Sequence, residues 1–138
     1  MTEVDEATWS SPLLGLPGAV AADGVDAGVA AHYGDPFREQ KTLLAGDGFA
    51  DLSHRGVITV KGPDRLTWLH SLTTQFIEGL APHTWVTTLI LSPQGHVEHE
   101  MTGYDDGETL WAHVEPGRAS SLVAWLDSMR FMMRVEVA

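Results

Sequence analysis

The residues of this chain best equipped for chemistry are its seven histidines and nineteen carboxylates. His96, Glu98 and Glu100 alternate along one segment. A strand would place all three on one face, spaced for proton transfer if that face lined a pocket. The same trio is also what a solvated strand face carries. His96 and His99 are three apart, so a strand sends them to opposite faces and they do not begin a metal site. His96-Val97-Glu98 matches the His-x-Glu half of a zinc deaminase signature, but the Pro-Cys-x-x-Cys half is missing. The histidines therefore read as scattered surface and rim residues. Ser53-His54 is an adjacency, not a triad. Gly46-Asp47-Gly48 lacks the third glycine of a dinucleotide loop, and no Gly-x-x-x-x-Gly-Lys-Ser/Thr occurs. Asp105-Asp106-Gly107 is turn chemistry with no further role. The aromatic residues fall mostly in apolar stripes, which predicts core packing over a stacking platform.

The chain has 138 residues and no cysteine, which excludes disulfides, thiolate metal sites and a cysteine nucleophile within it. Its net charge of -11 makes a poor binder of nucleic acid or anionic membrane. No apolar run is long enough to span a bilayer, and the acidic start Met1–Glu6 is unlike a signal peptide. The expected location is the cytoplasm.

Elements that would position these residues follow from periodicity. Residues 1–35, rich in Ala, Gly, Pro and Asp, predict an extended arm, and residues 36–138 a folded domain. Pro36 opens a helix with Phe37, Leu43 and Leu44 on one side, and Gly46 and Gly48 end it. Phe49–Leu52 predicts a short strand and Arg55–Lys61 a better one. Gly62-Pro63 opens a helix whose Leu66, Leu69, Leu72 and Phe76 share a stripe, with Trp68 off it. It should end near Gln75, because Thr73-Thr74 continues a helix poorly. Thr84–Leu91 alternates, Ser92–Gly95 turns, and His96–Tyr104 returns. Thr109–Glu115 alternates again. Pro116 starts a helix with Leu122, Trp125, Leu126 and Met129 as its stripe, and Arg130–Val137 closes as a strand. The order predicts an α+β fold, a ferredoxin-like β-α-β-β-β-α-β with a mostly antiparallel sheet and helices on one face. An apolar strand at Ala138 reads as the point where a longer protein would continue.

Several pieces in order resemble the YgfZ/GcvT superfamily, folate-binding proteins related to the glycine-cleavage aminomethyltransferase. They are Tyr33-Gly34-Asp35-Pro36 with Arg38-Glu39, Asp51-Leu52-Ser53-His54-Arg55-Gly56, and Gly62-Pro63-Asp64-Arg65 with Trp68-Leu69. Leu72-Thr73-Thr74-Gln75 and Leu91-Ser92-Pro93-Gln94-Gly95 complete the set. The resemblance runs from about Tyr33 to Val137. It implies the first domain of the GcvT/YgfZ fold.

The departures imply a branch. Aminomethyltransferases resembling this chain carry Thr-Asn-Asp after that helix, and the resemblance makes the Asp their catalytic carboxylate. Here Thr74, Gln75 and Phe76 stand in those places, and a phenyl ring holds no proton. Thr87 matches a strand Tyr of those enzymes, and His99 and Glu100 match their paired acids. The resemblance thus implies the YgfZ branch, linked to iron–sulfur cluster assembly and repair and to tRNA modification. Its members bind tetrahydrofolate or a one-carbon derivative in a central cavity between three domains. Their Lys-Gly-Cys-Tyr-x-Gly-Gln-Glu signature is not in this chain. Thr74, Gln75, Thr87 and Leu89 are the expected folate contacts, with no catalytic residue and no metal. Folate and iron–sulfur client or assembly proteins are the expected partners. A folate-dependent one-carbon transferase and a ligand-free protein-interaction module remain the alternatives.

Overall fold

The structure, a computed structural model, describes residues 9–138 and divides the chain into a unit ending at Arg55 and a second spanning Gly56–Ala138. The acidic start Met1–Glu6 lies outside the described residues.

In the first unit Ser11 organises the chain locally. Its hydroxyl accepts from the Leu13 amide, capping a 3-10 turn at Pro12–Gly15, and donates to Asp51 at 2.5 Å. Within the stretch expected to be an arm, β1 (Val20–Ala21) and β2 (Ala30–His32) pair antiparallel. Helix α1 (Pro36–Leu44) starts as predicted. Asp35 accepts from the Arg38 amide, while Glu39 reaches back to the amides of Tyr33 and Asp35. Gly46, at φ +78°, ends it. One expectation fails here, and the helix stays open to solvent. No residue of α1 is buried, and Phe37 and Leu44 face solvent. Phe49–Leu52 is not a strand: the Asp51 carboxylate takes the Ser53 amide and hydroxyl, folding the segment into an Asx turn.

The second unit runs β3 (Gly56–Lys61), α2 (Arg65–Leu72), β4 (Val86–Leu91), β5 (Val97–Asp105), β6 (Thr109–Val114), α3 (Ala119–Ser128) and β7 (Glu136–Val137). The strands form one antiparallel sheet in the order β4-β5-β6-β3-β7. This is the predicted ferredoxin-like arrangement, with β3 and β5 parallel on either side of β6 and β4 added at the edge. One sheet face is dry. Ile58 and Val60, Ile90, Met101, and Leu110, Ala112 and Val114 pack against Trp68 and Leu69 of α2 and Leu122 and Leu126 of α3. Trp68, expected to leave its helix stripe for another element, donates its indole N–H to the Met129 carbonyl at 3.0 Å.

Two element boundaries contract. Helix α2 begins at Arg65, not Gly62-Pro63, and ends at Leu72, where Thr73 turns extended. Its N-cap Asp64 does not cap; it accepts from the Arg134 amide and guanidinium at 2.7–3.0 Å. That clamp, with Phe131 at φ +48°, carries residues 130–135 across the start of α2. The predicted strand Arg130–Val137 is thereby reduced to β7, paired with Val60 and Lys61.

Candidate functional site

Strand alternation splits the second unit's sheet into a helix-covered face and an open one. Ile58, Val60, Thr88, Ile90, Met101, Gly103, Asp105, Leu110, Ala112 and Val114 are buried, so the intervening residues face away from the helices. Thr87 and Leu89 are among these.

The segment after α2 closes onto the edge strand. The Thr74 amide donates to the Leu89 carbonyl at 3.1 Å, and the Leu89 amide donates to the Thr74 hydroxyl oxygen at 3.0 Å. The Gln75 amide donates to the buried Thr88 hydroxyl at 3.2 Å. Thr87 shares a hydrogen bond with Thr102 at 2.8 Å across β4 and β5. Thr74, Gln75 and Leu89 are therefore held together along one edge, with Thr87 two residues before Leu89 on the same strand face. The Gln75 residue is exposed, leaving its carboxamide in solvent.

Phe76 is not on the α2 stripe. It lies beyond the helix, 70% exposed, its ring edge-on to His70 with centroids 5.0 Å apart. Chain reversal after Leu72 takes it off the core, and Ile77 is buried in its stead. The Ile77 amide donates to His70 Nδ1 at 3.2 Å, fixing that turn. Across β4 and β5, Glu100 stands directly opposite Leu89, while Glu78 lies 3.7 Å from His70 Nε2.

The trio His96, Glu98 and Glu100 does not assemble on one strand face. The Ser92 amide donates to the His96 carbonyl and the His96 amide to the Ser92 hydroxyl, drawing His96 into the turn before β5. His99 instead turns to the covered side, beside a cavity of about 260 Å3 that Arg118 and Glu115 also line. Its Nδ1 is buried without a hydrogen-bond partner, and burial, then Arg118, holds the ring below the usual histidine range. In the first unit His54 meets Asp26 at 2.7 Å while Ser53 bonds Asp51, so no Ser-His-Asp triad forms. Among the described residues no group of three or more His, Asp or Glu could hold a metal ion.

Two features escaped the sequence reading. Asp105 is not merely a turn residue. It is buried, receives Arg65 Nε at 2.6 Å and Nη2 at 2.8 Å, and its carbonyl accepts from the His83 amide. The Arg65 guanidinium, then the Gly107 amide, holds its carboxyl below the usual range against the opposing cost of burial. The signal was available, since Asp105 is in phase with Met101 and Gly103. The aromatic residues are the second correction. Trp85, Tyr104 and Trp111 stand on the open face, outside the core.

No family model matches the chain. It is 28% identical over 136 residues to the aminomethyltransferase of Nitrosococcus oceani, covering 97% of this chain and 32% of that protein. It is 28% identical over 132 residues to the aminomethyltransferase of Moorella thermoacetica, covering 93% and 36%. The crystal structure of the glycine cleavage system aminomethyltransferase T from Bartonella henselae superposes with a TM-score of 0.66 at 18% identity, over 87% of this chain and 34% of that one. The chain thus spans about a third of the length of the relatives it matches. Its sequence is similar to these aminomethyltransferases over most of its length, and its fold is that of the matching part of the Bartonella henselae structure.

Proposed function

We propose that this chain belongs to a folate-binding, YgfZ-like protein that assists iron–sulfur cluster assembly or repair in the cytoplasm without catalysing aminomethyl transfer. The observation that carries this reading is Phe76. A solvent-facing hydrocarbon ring follows Thr74 and Gln75 where the resembling enzymes keep an acid. The neighbouring side chains suit a pterin. The Gln75 carboxamide offers a donor and an acceptor to a heterocycle edge. The Thr74 hydroxyl already accepts from Leu89 and keeps its proton to donate. Thr87 and Thr102 add a hydroxyl pair, and Leu89 an apolar floor. Tetrahydrofolate, when bound, supplies the one-carbon carrier chemistry.

Titration with tetrahydrofolate tests the site. Amide NMR signals of Thr74, Gln75, Thr87 and Leu89 should move with weak affinity, and Gln75→Ala should weaken binding roughly tenfold, the loss of one to two hydrogen bonds. Shifts confined to other residues would overturn the site. Submicromolar affinity in calorimetry would overturn the expectation that this chain carries only part of the contact. In cells, loss of the gene should lower the activity of iron–sulfur enzymes; unchanged activity would count against the assembly role.

One observation favours a second reading, a folate-dependent one-carbon transferase. Glu100 lies across from Leu89 and could replace the acid that Phe76 lacks. Formaldehyde transfer to tetrahydrofolate above the spontaneous rate, lost roughly a hundredfold in Glu100→Gln, would establish it. The first reading expects no such transfer by the unsubstituted chain, with any gained activity appearing in Phe76→Asp.

A further inference from the structure

On the open face, register sets three aromatic residues in a row. Tyr104 pairs directly with Trp111 across β5 and β6, and Trp85, one residue before the Val86–Gly103 pair, stands beside Tyr104 on the other side. The Trp85 and Tyr104 ring centroids are 5.0 Å apart. Trp85 is 61% and Trp111 41% exposed, so both indoles present surface to solvent. Two strand spacings make the row about 10 Å long. Trp and Tyr on an open surface are the residue types that dominate protein–protein binding energy.

The charge around the row is acidic. Glu98 and Glu100 share its face on β5, while Glu136 on β7 is set directly opposite Lys61 and adds no net charge. Asp106 accepts the Trp111 indole N–H at 3.0 Å. The amides of Thr109 and Glu108, then that indole, hold its carboxyl down to about 2, so it is charged at neutral pH. Phosphate would be repelled here, which argues against a nucleic acid. A guanidinium or ammonium would be attracted by both the carboxylates and the ring faces.

We infer that the open face around Trp85, Tyr104 and Trp111 is a docking surface for a polypeptide segment that presents arginine or lysine side chains. Its cations lie over the indole and phenol rings, and its backbone follows the row across β4, β5 and β6. The inference rests on the three rings, whereas the folate reading uses Thr74 and Gln75 at the sheet edge with Thr87, Leu89 and Thr102, which neighbour the row on the same face.

The test uses the full chain and two octapeptides, one with arginine at alternate positions and one with glutamate there. The arginine peptide should move the indole N–H signals of Trp85 and Trp111. Its binding should fall roughly fivefold in Trp85→Ala, an exposed ring whose loss leaves the core intact, as about 1 kcal/mol of cation–π attraction implies. Glu100→Lys should weaken it similarly, and does so without removing an aromatic ring. The inference fails if the glutamate peptide binds as well, if only the Trp9, Trp68 or Trp125 signals move, or if both substitutions leave affinity unchanged. It also fails if the signals shift with protein concentration alone, which would make a second copy the occupant. Tetrahydrofolate shifts at Gln75, read in the same samples, report separately on the folate site.

Discussion

Asp105→Ala is expected to cost the second unit about 3–5 kcal/mol, enough to unfold much of it at room temperature. The Arg65 and Asp105 side chains are only 12% and 2% exposed, and they meet through two parallel hydrogen bonds. Truncating the acid leaves a guanidinium with little water, the Gly62 carbonyl at 3.2 Å as a hydrogen-bond acceptor, and Asp106 and Glu108 acting on it only as neighbouring charges. Beside the pair, the Asp105 carbonyl holds the His83 amide at 2.7 Å and so fixes the approach to Trp85 and β4. Urea unfolding with circular dichroism measures the effect. A midpoint within experimental error of the unsubstituted chain would show that the buried pair is dispensable. The same acid sets a pH dependence. Its folded pKa lies below its unfolded value near 3.9, so its stabilisation is complete above that value and is lost as pH falls through the folded one. The stability gap between the unsubstituted chain and Asp105→Asn should be constant from pH 7 to about 5 and narrow below about pH 4. A gap that widened on acidification would contradict the sign.

Why Asp105 was missed, while its neighbours were not, shows what a sequence alone transmits here. Thr84–Leu91 and Thr109–Glu115 were readable as strands because β-branched and aromatic residues crowd them between turn signals. Which face the helices would cover was not readable on β4. Trp85, Thr87, Leu89 and Leu91 form the more hydrophobic set, yet the helices cover the set containing Thr88 and Ile90. Burial of Thr88 is tolerable because its hydroxyl accepts the Gln75 amide. That long-range bond joins the segment after α2 to β4, and nothing local announces it. The closing strand was overread for a similar reason. Phe131, Met133, Val135 and Val137 alternate, but Asp64, some seventy residues away, takes Arg134 out of the ladder. The stripe on α3 was legible because Leu122 and Leu126 depend only on helical spacing. Of the candidate site, residue types at Thr74, Gln75, Thr87 and Leu89 were visible, whereas the exposure of Phe76 and the position of Glu100 required the register of β4 on β5.

Gly103→Ala should cost about 3 kcal/mol, at the upper end for overpacking. Glycine inside a strand normally weakens it, since it offers no side chain to pack. Here the absence of a side chain is what the sheet requires. Gly103 is buried at the middle of the unit, opposite Val86 on one side and Ala112 on the other. An added Cβ would stand 2.7 Å from the Ala112 Cα and closer still to the Trp111 carbonyl oxygen. Both are backbone atoms, so no rotamer change relieves the clash and β6 must move away from β5. Tyr104 and Trp111, paired directly beside this point, would separate with the strands. Gly95 provides the contrast. It sits in the turn at φ +83° with open space around its Cβ direction, so Gly95→Ala pays only the left-handed backbone penalty of about 1–2 kcal/mol. Urea midpoints should therefore rank the unsubstituted chain above Gly95→Ala and that above Gly103→Ala. The indole signals of Trp111 should shift in the last alone. Equal midpoints for the two variants would mean that β5 and β6 can open by half an ångström or more at no cost, and the rigid sheet face on which both the folate edge and the aromatic row depend would not exist.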